Sequence, residues 1–282
     1  PDVYKLTQLE LERQYRRLAE ASKLPLRLWV MIGAPAPQDY SKLAEFPKTG
    51  LGNGYLTVRA VKAYLDGALG SYGAWLLEPY ADKPGHFGQN TTPVSTVLDL
   101  AAQCKKHGLQ LCVHAIGDRG NREMLDAYAR ALGKDAGSDH RWRIEHAQHL
   151  HPDDIPRFPQ LGVIASMQGI HCTSDAPFVV KRLGVERARH GAYAWRSLID
   201  AGAHLANGTD APVEDVNPIP SIYASLSRKR ADTGLEFFPE QKMTRQEALL
   251  SYTLWNAYAA FEENEKGSLA AGKRADVVVL SK

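Results

Sequence analysis

Between residues 27 and 208 short apolar runs alternate with helical stretches, and this alternation limits the possible folds more than any other feature. The runs are 27–32 (RLWVMI), 58–65 (VRAVKAYL), 109–115 (LQLCVHA), 142–147 (WRIEHA), 162–167 (GVIASM) and 204–208 (HLANG). Each has strand length and is bounded by turn residues. Between them lie amphipathic stretches such as 96–107, stopped by Gly108, and 119–132, stopped by Gly133. A glycine just past the last periodic residue is the expected helix stop. Thr244 and Glu247 form a capping box ahead of a helix over 248–260. The opening residues predict another amphipathic helix, with Leu6, Leu9 and Tyr15 on one side. Strands that alternate with helices form parallel βα units.

Composition narrows the function classes. A formal net charge of +2 gives no field that argues for nucleic acid or a membrane surface as partner. No apolar run approaches the ~20 residues of a membrane span. Three cysteines, Cys104, Cys112 and Cys172, are too few and too scattered for a disulfide framework or a structural zinc cluster. A reducing, cytoplasmic compartment is the expectation, with no targeting signal visible. At 282 residues the chain can bury one large core, and a big domain with a small appendage fits as well as two domains.

Reactive side chains gather where the apolar runs end: Lys62 and Asp66, His114 and Asp118, His146, His171 and Asp175, then Asp210. In a barrel of parallel strands all strand C-termini lie on one face, so residues far apart in sequence converge there. A single strand-end histidine is more often a hydrogen-bonded core residue than a ligand. Two on successive strands, followed by a carboxylate on a third, form an N,N,O donor set of the kind that holds a catalytic zinc with an open position. The bland alternative is a buried His/Asp polar network.

The segments VKAYLDGALGS, VHAIGDRGN, RIEHAQ, HCTSD and NGTDAPVEDVNP, with the tail GSLAAGKRADVVVL, resemble the amidohydrolase superfamily, and within it the YtcJ-like "amidohydrolase 3" branch. The resemblance runs from about residue 27 to the C-terminus with order and spacing intact. It implies a (β/α)8 barrel of the TIM type with a small β-sandwich, and hydrolysis of amide-type, non-peptide carbon–nitrogen bonds by a metal-activated hydroxide. It places His114 as the ligand after strand five and His146 as the ligand after strand six. Asp210 becomes the carboxylate after strand eight, both ligand and proton shuttle. Lys62 takes the position after strand four, where many relatives carry a carboxylated lysine bridging two metals; the plain alternative is a salt-bridging lysine. An unpaired buried lysine is costly, which favours a special role. The implied cofactor is a divalent metal, zinc first, in one or two copies.

Supporting roles follow. Asp66 and Asp118 orient ligands or satisfy turn amides. His171, read in a loop after strand seven, contacts the substrate or polarises its carbonyl. Glu145 is expected to face the helices, and His149-x-His151 reads as a solvated loop pair. The loops 81–92 and 171–189 are expected to shape the pocket around a small-molecule substrate.

One departure matters. The superfamily's His-x-His at the end of strand one has no counterpart near the start of this sequence, so the run at 27–32 becomes strand three. The expected architecture is therefore an incomplete barrel over residues 1–262, from strand three to strand eight, and the C-terminal piece of the sandwich over 263–282. Open strand edges would favour homo-oligomers or pairing with the missing N-terminal segment. Two alternatives stay open: a non-catalytic fragment or oligomerising scaffold without metal, and a mononuclear deaminase-type site in which Lys62 plays no part.

Overall fold

The computed structural model describes residues 8–279. Leu6 and the side chain of Leu9 lie outside the described residues, as do positions 280–282 of the expected sandwich segment. Tyr15, in the helix Gln8–Glu20, packs against the core.

Each expected run forms a strand: β1 Leu28–Gly33, β3 Leu56–Tyr64, β4 Gln110–Ala115, β5 Arg143–His146, β6 Ile164–Gln168 and β7 Leu205–Gly208. They pair in the order β1-β3-β4-β5-β6-β7, all parallel. A short strand unforeseen in the sequence, β2 (Lys48–Gly50), runs antiparallel to the start of β3. The sheet curls as a partial barrel whose outer strands are β1 and β7, and these do not pair with each other among the described residues.

Period-two alternation sorts the side chains onto two faces. Val61, Ala63, Leu111, Val113, Ile144, Ala165 and Leu205 are buried in one core with Val97, Leu100 and Cys104 of the helix Val94–His107 and Met124, Leu125 and Tyr128 of the helix Asp118–Leu132. Burial of each large side chain is worth roughly 1.5–3 kcal/mol. The register carries the other face: Tyr64 lies beside His114, His114 beside Glu145, and Glu145 beside Ser166.

Two helices differ from expectation. The capping box is present, with Thr244 Oγ1 accepting from Glu247 N at 3.2 Å and Glu247 Oε2 from Thr244 N at 2.7 Å. Its helix, however, ends at Tyr252 and restarts as Leu254–Ala259, because Thr253 turns to φ −128, ψ −92. The segment expected as a loop after β6 is instead helical, as Gly169–Leu183 and Val185–Gly191. Pro177 interrupts the first of these and cannot bond to Thr173 O. The Arg230 guanidinium donates to Thr173 O instead (3.4 Å), so the freed carbonyl keeps a partner. Among the described residues, 263–279 form no strand.

Candidate metal centre

The strand ends deliver the site. His146 is the last residue of β5, Asp210 follows β7 by two residues, and His171 lies in the first turn of the helix after β6. One ligand-capable atom from each of these three lies within 4.8 Å of the others. The backbone turns sharply to aim them: His146 has φ 76, Ala147 φ 45 and Asp210 φ 59. Left-handed backbone at non-glycine residues costs of order 1–3 kcal/mol each and persists only where the surroundings hold it.

His114 stands beside this trio, its ring centroid 4.5 Å from that of His146, and Lys62 acts electrostatically on His146. The Lys62 ammonium lies 5.0 Å from the centre of the Tyr64 ring. Asp66, with its side chain fully buried, accepts from Trp75 N (2.9 Å), Ile116 N (2.9 Å) and Gly117 N (2.8 Å), and its Oδ1 lies 3.4 Å from His114 Nε2. Only glycine fits at 120, where a Cβ would sit 2.7 Å from Asp66 Oδ2. Asp66 therefore ties the DGALGS turn to the loop that follows His114.

The two histidines of the trio are driven in opposite directions. Burial, with His114 and Lys62 nearby, pushes His146 down to about 4. Burial also acts to lower His171, but its bond to Asp210 and the charges of Asp175, Asp210 and Glu214 outweigh it and raise the ring above its ordinary value. Burial would raise Asp210, yet its bond to His171 and its proximity to His146, His171 and Lys62 hold it below the usual carboxylate range. His146 thus presents a neutral imidazole suited to ligation, and His171 favours the charged ring.

Asp118 is not at the trio. It accepts from Leu77 N and Arg119 N, both at 2.9 Å, and lines a separate cavity with His149. The reading of His149-x-His151 as a solvated pair holds for His151, whose side chain is 40% exposed, but not for His149. His149 is 2% exposed, both ring nitrogens lack a hydrogen-bond partner among the described residues, and its backbone N–H donates to Ile116 O. Glu145 also departs from expectation. It shares the face of His114 and pairs with Arg143 at 2.9 Å. Alternation counted back from His146 misplaces it, because the positive φ of His146 swings that residue's own side chain round to the same face. Two residues of the site have no role assigned from the sequence, Gln168 outside the segments that carry the resemblance and Glu214 within NGTDAPVEDVNP. Gln168 accepts from His146 Nδ1 (2.8 Å), and Glu214 Oε1 lies 3.5 Å from His171 Nδ1. Their only signals in the sequence are a strand-end position and a place four residues after Asp210.

The model of the amidohydrolase family matches residues 3–282. The chain belongs to the amidohydrolase family. This amidohydrolase chain is 40% identical over 227 residues to Protein LONG AFTER FAR-RED 3 of Arabidopsis thaliana, covering 80% of this chain and 39% of that one. It is 31% identical to the putative amidohydrolase YtcJ of Bacillus subtilis (95% and 50%) and 28% identical to the N-substituted formamide deformylase of Arthrobacter pascens (95% and 49%). Its fold matches an uncharacterized metal-dependent hydrolase from Pyrococcus furiosus with a TM-score of 0.80 at 30% identity, covering 94% of this chain and 52% of that one. The chain thus spans about half the length, or less, of the curated relatives it matches.

The donors fit a divalent cation. His146 and Asp210 bring a nitrogen and an oxygen donor together with His171 within 4.8 Å, His114 stands beside them, and His146 Nδ1 is tied to an amide oxygen. Such a mixed nitrogen and oxygen set suits zinc and its neighbours.

Proposed function

We propose that this amidohydrolase chain carries the metal-binding half of a hydrolase acting on amide-type, non-peptide carbon–nitrogen bonds of a small molecule. The observation that carries the reading is the convergence of His146, His171 and Asp210 at the C-terminal ends of parallel strands. In this reading His146 and Asp210 hold a divalent metal, zinc first, with His114 and Lys62 as further ligands. When bound, such a cation supplies acidified water and a polarised carbonyl. Asp210, kept unprotonated by its cationic neighbours, takes the proton of the attacking water and passes it to the departing nitrogen. His171 donates a hydrogen bond to the substrate carbonyl. Asp66 holds the His114 loop in place, and Asp118 anchors the neighbouring loop through Leu77.

The amide-type substrate class is supported by the family match and by the name of the Arthrobacter relative. Three buried free thiols support a reducing, cytoplasmic setting, and among the described residues no helix is long and apolar enough to cross a membrane. The outer edges of β1 and β7, unpaired among the described residues, support a second copy or additional strands as partner, and turnover by the isolated chain is expected to fall below that of a completed barrel. The same edges favour the competing reading of a scaffold without chemistry.

Elemental analysis of the purified chain beside a His146→Ala/Asp210→Asn double variant separates the two. Near-stoichiometric metal lost in the variant, with release of formate from N-substituted formamides, supports the hydrolase. Equal metal in both proteins, or none in either, leaves the scaffold.

A further inference from the structure

We infer that Gln168 is a positioning residue that fixes the ring tautomer of His146, placing the proton on Nδ1 and leaving the Nε2 lone pair free for the site. The inference rests on the proposed metal-binding role of His146 and adds a residue that role does not itself identify.

The argument is one of donors and acceptors. Gln168 ends β6, is 8% exposed, and lies in register with Gly208 of β7. Its Nε2 donates to Ser166 O at 3.4 Å. A carbonyl oxygen can only accept, so the amide nitrogen faces Ser166 and the amide oxygen faces the other way. That oxygen lies 2.8 Å from His146 Nδ1. It too can only accept, so Nδ1 is the donor. A neutral imidazole carries one N–H, which leaves Nε2 bare.

The backbone beneath Gln168 is pinned as well. Gly169 N donates to Asn207 Oδ1 at 2.9 Å, and a Cβ at 169 would meet Ser225 Oγ at 2.3 Å. The strand end therefore has little room to shift, and the amide reaches His146 from one direction. Three residues later the same segment delivers His171. Gln168 is a neutral acceptor, so it orients the ring without adding negative charge beside Asp210. Partners of this kind typically change metal affinity 10–100-fold when removed.

The test is a two-bond proton–nitrogen correlation on the metal-free chain labelled with 15N-histidine, at about pH 8, above the ~6.5 of an ordinary imidazole. His146 is assigned by its loss in His146→Ala. The expected result is a protonated Nδ1 and a bare Nε2. Gln168→Leu, which fills the space without an acceptor, should let the Nε2–H form appear, whereas Gln168→Glu should keep the native tautomer. In competition with a chromogenic chelator, Gln168→Leu should bind zinc roughly 10–100-fold more weakly, with Gln168→Glu within a few-fold of the parent. An Nε2–H tautomer in the unmodified chain overturns the inference, and that measurement needs no variant to fold. A tautomer unchanged in Gln168→Leu overturns it too. If the chain shows the expected, Gln168-dependent tautomer but takes up no zinc, the inference stands and the hydrolase reading fails. If zinc binds while the tautomer ignores Gln168, the reverse holds.

Discussion

The two ends of the sheet solve opposite problems. At the N-terminal end Arg141, 6% exposed, is held by Asp139 and Glu263 at 2.7–3.0 Å, donates to Tyr258 O, and lies 3.9 and 4.0 Å from the Tyr258 and Phe261 ring centres. Nearby, the indole nitrogen of Trp142 donates to Leu109 O, and the Tyr128 hydroxyl lies 2.9 Å from Arg143 O and 3.1 Å from Leu111 O, either of which can accept its proton. At the C-terminal end the backbone turns left-handed at His146, Ala147 and Asp210, and the nitrogens of His149 lack partners among the described residues. The cluster around Arg141 satisfies its charges locally, although Gln110 Oε1 at the same end has no partner among the described residues; the strand ends around His146 instead bring ligand-capable atoms together. In barrels of this type, chemistry sits at the C-terminal face and stability at the opposite one.

The largest expected effect belongs to the rim. His146→Ala should weaken zinc binding at least about 100-fold, ~2.7 kcal/mol, by chelator competition. Its urea unfolding free energy should move by less than ~1 kcal/mol. A stability loss equal to that of an Arg141 variant would erase the contrast between the two ends.

Acid should expose the rim's unpartnered groups. Burial pushes His149 down to about 3, so the folded chain keeps it neutral while the unfolded chain takes a proton below ~6.5. Unfolded protein then binds more protons, so stability falls as pH drops from ~6.5 toward the folded value, by about 1.4 kcal/mol per pH unit. His149→Phe should flatten that limb in urea titrations between pH 6.5 and 4, a difference on the order of 3 kcal/mol at the acid end. An identical limb in the variant would mean that water already satisfies the ring.

Arg141→Ala tests the opposite end. It removes a buried cation from two partly exposed carboxylates and from two aromatic faces, and should cost about 2–3 kcal/mol in urea unfolding with zinc affinity unchanged. Altered metal binding would show that the ends are coupled. Thr244→Ala belongs to neither end. It removes one half of a capping box and should cost ~1 kcal/mol by the same assay, which sets the scale for a purely local loss.

Much of the rim is legible in the amino-acid sequence. His114, His146 and Asp210 each follow an apolar run, and a parallel sheet brings strand ends together whatever the loops do. What escapes has several causes. Alternation misplaces Glu145 because of the positive φ at His146, and loop position misplaces His149, which Ile116 O draws in through its backbone N–H. The helix through His171 is hidden by Thr-Ser-Asp-Ala-Pro, whose freed carbonyl is satisfied by Arg230, fifty-seven residues away in sequence. Gln168 and Glu214 act only through partners brought by other strands and loops.

The sequence by itself determined the six parallel strands, the helix stops at Gly108 and Gly133, the capping box at Thr244 and the strand-end residues His114, His146 and Asp210. Periodicity, backbone freedom and local hydrogen bonding are all encoded within a few residues of each other. Only the tertiary structure decided which nitrogen of His146 meets Gln168, that two carboxylates flank His171, and that His149 is buried. Those outcomes depend on distances between residues remote in the chain, which are set when the sheet curls and its strand ends meet.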